Sequence, residues 1–201
     1  MGDESAGKNE TPNHDEVFRS DSALAAIAFE LLQRSKPSFS AAAGNAPVRI
    51  DIFVDLSCGM CALTHNDLMP SLLNEMAAGS VSLHIHDFPI GKRATALAIA
   101  ARCAAQQNRY PEFVSASYAI LGAKPEPSID ELAQKAGADV KKLQLCVASG
   151  VAADVERDFR LGQELEVPGT PTFFFNGQRL LGYKPFSMIS EIIRKLISVP
   201  R

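Results

Sequence analysis

No stretch of this 201-residue chain approaches the eighteen or so consecutive apolar residues that would span a bilayer. Neither sign of charge dominates: 20 Lys and Arg face 23 Asp and Glu, a formal net charge of −3. That balance excludes the basic footprint of a nucleic-acid or anionic-membrane binder, so neither partner is expected. Residues Met1–His14 lack the apolar core of a secretory leader. Either the protein works in the cytosol, or the numbered chain begins after a removed leader. Met1-Gly2 does not open a myristoylation signal, because position 6 is Ala6. Internal repeats and low-complexity tracts are absent. Cysteine is scarce, with four residues and one close pair. No second Cys-x-x-Cys and no His-x-x-x-His accompanies that pair, so a four-ligand zinc site lacks its other half, and no metal or cofactor is expected. Hydrophobic residues at 46% and charged residues at 21% are ordinary globular values. The length fits one domain, or one domain with an insertion.

The close pair is Cys58-Gly59-Met60-Cys61, and its setting is informative. Val48, Ile50, Ile52 and Val54 alternate with Arg49, Asp51, Phe53 and Asp55, the period-2 pattern of a strand that points at Cys58. After Cys58 the pattern turns helical, from about Gly59 to Ala78, with Leu68, Leu72 and Met76 at i+4 spacing and Pro70 expected to kink it. Cys58 therefore stands at a helix N-terminus, where unpaired N–H groups and the macrodipole favour a thiolate. The thiolate is the nucleophile of disulfide chemistry, and Cys61 follows one turn later. With Gly59 and Met60 between them adding no charge, the Cys58 pKa is expected below the free value of about 8.5 but not at the bottom of the known range. Half of a zinc site, or two core thiols, are the competing readings of the pair.

The remaining segments frame this motif. Residues 1–15 read as a disordered N-terminal segment. A helix capped by Asp21 would bury Leu24, Ile27, Leu31 and Leu32 and stop before Pro37, with 36–46 as a linker. Val81, Leu83 and Ile85 form a second strand, so strand–helix–strand suggests a parallel βαβ unit. His84 and His86 alternate with its apolar face and read as exposed or rim residues. His65 shares a helix face with Cys61 and reads as a solvated histidine. From about Gly91 to Leu165 the pattern is helical, with Ser128 and Asp139 as N-cap candidates. Thr172 to Phe175 and Arg179 to Gly182 flank Asn176-Gly177, a two-residue hairpin turn. A last amphipathic helix uses Phe186, Ile189, Ile193 and Leu196. Cys103 and Cys146 sit alone in two different helical patterns.

This order resembles the thioredoxin superfamily, and more closely its DsbA-like branch. The resemblance rests on Gly44-Asn45-Ala46-Pro47-Val48, on Phe53, Asp55 and the Cys58–Cys61 motif, and on Phe88-Pro89. It rests also on Ala101-Arg102-Cys103-Ala104 and on Gly169-Thr170-Pro171-Thr172 followed by Asn176-Gly177. It implies an α/β, thioredoxin-like fold: residues 16–46 as N-terminal helix and linker, 47–90 and 167–201 as the thioredoxin-like domain, and 91–166 as an inserted helical domain. It implies a protein thiol–disulfide oxidoreductase supporting oxidative folding, with Cys58 and Cys61 catalytic and Gly59 and Met60 as the active-site dipeptide. Local statistics make Pro171 trans; the resemblance implies a cis Pro171 facing the sulfurs, with Thr170 and Pro171 binding an extended substrate. Asp55 matches an acidic position and is a candidate proton relay, its alternative being a strand-end cap. Relatives often place a carboxylate six residues before the first cysteine, where this chain has Ile52. Cys103 and Cys146 are two core thiols or, as in some DsbA-like proteins, a structural disulfide. The implied partners are proteins with cysteine thiols or disulfides and a membrane or soluble redox partner that resets the site. The implied location is periplasmic or otherwise extracytoplasmic. The alternatives are an isomerase or reductase whose N-terminal helix drives oligomerisation, and a redox-inactive binding or chaperone module.

Overall fold

The computed structural model describes residues 22–42 and 45–198. The expectations for residues 1–15, for the Asp21 cap and for Gly44 fall outside them. The chain runs α1 (Ser22–Arg34), β1 (Phe39–Ala42), β2 (Val48–Val54), α2 (Gly59–Ala77) and β3 (Val81–Asp87). Five helices follow: α3 (Lys92–Ala105), α4 (Tyr110–Ala119), α5 (Ile129–Lys135), α6 (Val140–Ala148) and α7 (Ala152–Glu164). The chain then returns to the sheet with β4 (Thr172–Phe175) and β5 (Gln178–Leu181) and closes with α8 (Phe186–Ser198).

The sheet order is β1-β3-β2-β4-β5. β2 pairs with β3 in parallel, as the βαβ pattern predicts, and with β4 antiparallel. Its alternation sends Ile50 and Ile52 into the main core and Phe53 into a second, smaller cluster with Leu32, Phe88, Leu165, Val167 and Phe174. Both faces of the sheet are therefore covered. The β2–β4 register sets Phe53 opposite Thr172, so residues 170 and 171 lie just beyond the end of β2, beside the loop that leads to Cys58. The hairpin turns at Asn176 and Gly177 with φ of 47° and 84°, both positive as a two-residue turn of this kind requires. Ser128 makes a reciprocal capping box with Glu131, and Asp139 accepts from the Lys142 N–H at 3.0 Å. Alanines 94, 98, 100, 101 and 104 are buried in α3. Cys103 and Cys146 are bridged, with Cα atoms 5.7 Å apart, tying α3 to α6.

Three expectations change: the linker, the buried face of α1, and the exposure of His84 and His86. Residues 36–46 are not all linker: Phe39–Ala42 pairs antiparallel with β3, Phe39 opposite Ile85. The free edge of β3 supplies this pairing, which the small side chains of Ser40 and Ala41 do not advertise. The α1 face is rotated from the predicted one, burying Ala25, Ala28 and Leu32 and exposing Leu24 and Ile27. Close approach explains this, since a Cβ at Gly177 would collide with the Ala25 carbonyl, so small residues must face the hairpin. Pro70 sits inside α2, which continues through it to Ala77.

His84 and His86 are buried, not rim residues. His86 donates from Nε2 to Asp51 at 2.9 Å and from Nδ1 to Asp158 at 3.3 Å, and its ring stacks on Phe53. Asp51 also receives Arg49 at 2.7 Å, while Arg102 donates to both Asp87 and Asp158. Burial works to strip His86 of its proton, but its bonds to Asp158 and Asp51 outweigh it and raise the pKa above the ordinary value. With His86 charged, three cations balance three carboxylates.

Candidate active site

Cys58 is the N-cap of α2, with extended backbone at φ −90° and ψ 121°. Its N–H donates to the Asp55 carbonyl at 3.1 Å, closing a tight turn at the end of β2. Its own carbonyl receives the Ala62 N–H at 3.0 Å, the first bond of the helix. The sulfur is half-buried and unbridged, and in this dithiol state it donates to the Thr170 carbonyl at 3.3 Å. Cys61, one turn on, is 1% exposed. Two thiols of one motif thus stand in opposite surroundings.

Their proton affinities diverge accordingly. The Cys61 thiol, as a hydrogen-bond donor, is the largest influence on Cys58 and lowers its pKa to about 5. Partial burial opposes this, while Thr170 and the backbone amides of Cys61 and Met60 assist. The expectation of a lowered pKa is met, but the helix-end amides act behind the Cys61 thiol rather than alone. Cys61 is pushed up, first by its hydrogen bond to Cys58 and then by burial.

The Thr170–Pro171 peptide bond is cis, as the resemblance implies and local statistics do not. The Pro171 carbonyl accepts from the Gly182 N–H at 2.9 Å, and Thr172 Oγ1 donates to the Gly169 carbonyl at 2.7 Å, so hairpin and loop are fixed to each other. Among the described residues nothing accepts from the Thr170 N–H. Gly59 has open space around it and Met60 is exposed, so the dipeptide presents a solvent-facing surface beside Cys58.

Asp55 is buried, and its carboxylate accepts from the Ser57 N–H at 2.6 Å and the Ile90 N–H at 2.7 Å. It ties the turn before Cys58 to the loop after β3. Ile52 faces away from it, into an apolar cavity of about 70 Å³ that it shares with Cys61 and His65. His65 is not the solvated histidine of the sequence reading: its Nε2 lies 2.9 Å from Ser115 Oγ on α4, and its ring tilts against Tyr118. Sequence reasoning missed the buried His86 cluster entirely, since the two carboxylates that hold the imidazole lie 35 and 72 residues from it. For His65 a signal existed, its i+4 spacing from Cys61.

The family model described as thioredoxin matches residues 39–195. The chain belongs to the thioredoxin family. Among solved structures of this family type it is similar to BdbD from Bacillus subtilis, with a TM-score of 0.70, 20% identity, and coverage of 82% of this chain and 97% of that one. It is similar also to the thiol-disulfide exchange protein alpha-DsbA2 from Wolbachia pipientis, with a TM-score of 0.69, 20% identity, and coverage of 88% and 100%. A thioredoxin-like oxidoreductase from Silicibacter pomeroyi gives a TM-score of 0.70, 23% identity, and coverage of 82% and 95%. These likenesses establish a shared DsbA-type thioredoxin fold. No curated protein matches the sequence significantly. Among the described residues, no helix is long and apolar enough to cross a membrane.

Proposed function

We propose that this thioredoxin-family chain is a thiol–disulfide oxidoreductase acting on protein thiols, with Cys58 as the exchanging sulfur and Cys61 as its partner. The observation that carries this is the asymmetry of the pair: a half-exposed Cys58 with its pKa lowered to about 5, next to a buried Cys61. At neutral pH Cys58 is then a thiolate, a good nucleophile in one direction and a good leaving group in the other. Stabilising that thiolate favours the reduced state, which makes the Cys58–Cys61 disulfide an oxidant. An oxidised pair accepts a client thiolate at Cys58 while Cys61 leaves; a second client thiol then frees the client as a disulfide and leaves Cys58 and Cys61 reduced. A soluble or membrane redox partner resets them.

Thr170 and Pro171 form the substrate ledge. The unengaged Thr170 N–H offers an extended client a backbone bond within reach of Cys58. Gly59 and Met60 border that ledge. Asp55 serves by holding two loops together beside Cys58. The buried Cys103–Cys146 bridge supports an extracytoplasmic, periplasmic location, because such bonds persist in oxidising compartments.

The test is a trapping experiment with reduced Cys61→Ser protein and a disulfide-bonded client, whose own disulfide supplies the exchanging bond. A covalent client adduct on Cys58 is expected to accumulate, and to be absent in Cys58→Ser. Absence of the adduct in Cys61→Ser overturns the reading.

A further inference from the structure

Whenever Cys61 attacks a mixed disulfide at Cys58 it must first lose a proton, and when it leaves it must regain one. Its buried position makes the thiolate costly, so a local acceptor matters more here than at a surface thiol. The carboxylate of Asp55 is engaged by two backbone amides. Ile52 and Val54 of the sheet face the sulfur's cavity with hydrocarbon only.

That cavity, about 70 Å³, lies between α2, α4 and the sheet, and His65 lines it together with Cys61, Thr64 and Tyr118. Its volume exceeds the roughly 10–15 Å³ needed for one water, and the lining residues that carry a polar group for such a water are Cys61, Thr64, His65, Tyr110 and Tyr118. Cys61 and His65 are four residues apart on α2, so they occupy one helix face. We propose that His65 exchanges the Cys61 proton with solvent through this cavity, directly or through one water. The inference rests on the thiol-exchange reading above.

Three features support it. Ser115 Oγ, 2.9 Å from Nε2, fixes the ring from the opposite helix, and among the described residues Nδ1 has no hydrogen-bond partner. The ring is only half-buried, so the proton has an exit. Burial holds the His65 pKa below its ordinary 6.5, so the imidazole is neutral and able to accept at pH 7. The other ionisable groups lining the cavity are Tyr110 and Tyr118, both pushed up by burial and unable to act as bases near neutrality. The sheet contributes Phe39, Ile52, Val54 and Ile85, none ionisable.

The step balances. Cys61 S–H gives its proton to His65, the Cys61 thiolate attacks the Cys58 sulfur, and the Cys58–Cys61 bond forms. The client sulfur leaves with the bonding pair and is protonated from His65 or solvent. One disulfide is exchanged for another with no outside oxidant.

The test isolates this step. Cys58 is loaded as a mixed disulfide with glutathione, and glutathione release is followed by rapid quench and mass spectrometry. In His65→Ala, release is expected to slow at least tenfold at pH 7, within the range for general acid–base catalysis, and free imidazole to restore it. Wild-type release is expected to fall as pH drops through a point below 6.5, and that inflection to vanish in His65→Gln. Alkylation of Cys58 is expected to proceed at the wild-type rate in both variants, which verifies the fold. Unchanged release with an unchanged pH profile in His65→Gln, or no rescue of His65→Ala by imidazole, overturns the proposal. Failure of Cys58 to form any mixed disulfide instead overturns the exchange reading itself.

Discussion

Replacing both bridged cysteines, Cys103→Ala with Cys146→Ala, removes a cross-link between residues 43 positions apart. The chain-entropy relation for a loop of that size gives about 4 kcal/mol of stability lost at 25 °C. Domains of this kind are stable by roughly 5–15 kcal/mol, so the loss takes a large share of the total. At about 2–4 °C per kcal/mol for a chain of this length, the melting temperature is expected to fall by roughly 8–16 °C. The bridge spans α3 to α6 and encloses α4 and α5, so the reduced chain gains freedom in the part of the helical block that packs against α2. The assay is urea denaturation followed by circular dichroism, in a Cys58→Ser, Cys61→Ser background so that only this bridge differs. The midpoint should drop while the slope stays equal or rises, because an uncrosslinked denatured state exposes more surface. A loss below about 1 kcal/mol with an unchanged slope would refute the entropic argument and place the stabilisation in packing alone.

Two further outcomes follow from the site and the buried charges. The thiolate absorbance of reduced protein is expected to titrate near pH 5 and to disappear in Cys58→Ser. Because the folded pKa is depressed, the stability this thiolate contributes is complete above its unfolded value and is lost as pH falls through about 5; titration near 9 would refute it. His86 has the opposite sign. Its folded pKa is raised, so its contribution is complete below about 6.5 and is lost as pH rises through the folded value. In oxidised protein, where Cys58 binds no proton, unfolding free energy should therefore fall as pH rises above about 6.5, since the lowered pKa values of His84 and His65 act in the opposite sense only below that point. Asp158→Asn should lower the unfolding free energy by about 3–5 kcal/mol by breaking a buried ion-pair network. A flat profile would contradict a charged His86.

What the sequence disclosed was what local pattern encodes. The alternation of Val48 to Val54, the Asn176-Gly177 turn and the Ser128 and Asp139 caps are short-range signals, and each gave its element. The Cys58 position was equally legible, since strand period changes to helix period at that residue. Contacts across the fold were not. β1 forms because β3 has an open edge, and nothing within Phe39–Ala42 states this. The orientation of α1 is set by Gly177, about 150 residues away, whose missing Cβ admits the Ala25 backbone. His86 looked like a rim residue because alternation cannot tell a solvent face from one covered by α7, and Asp158 on that helix, together with Asp51, makes its burial tolerable.

The alternation of β2 also separates two kinds of chemistry. Asp51 faces the charged cluster and Phe53 stacks on His86, whereas Ile52 and Val54 face the cavity that holds Cys61. A strand one residue thick separates the thiols from the buried charges, and the largest influences on Cys58 and Cys61 are each other, burial and the neighbouring backbone and Thr170 rather than His86, Asp51 or Asp158. The two pH dependences should therefore be separable by mutation. Asp158→Asn is expected to change how stability varies with pH while leaving the Cys58 titration near 5. Cys61→Ala is expected to raise the Cys58 pKa by removing its strongest donor, and so to shrink only the part of the stability profile that Cys58 contributes. If Asp158→Asn moved the Cys58 titration by a unit or more, the two faces of the sheet would be electrostatically coupled. The low Cys58 pKa would then owe as much to the distant cluster as to the helix end and Cys61.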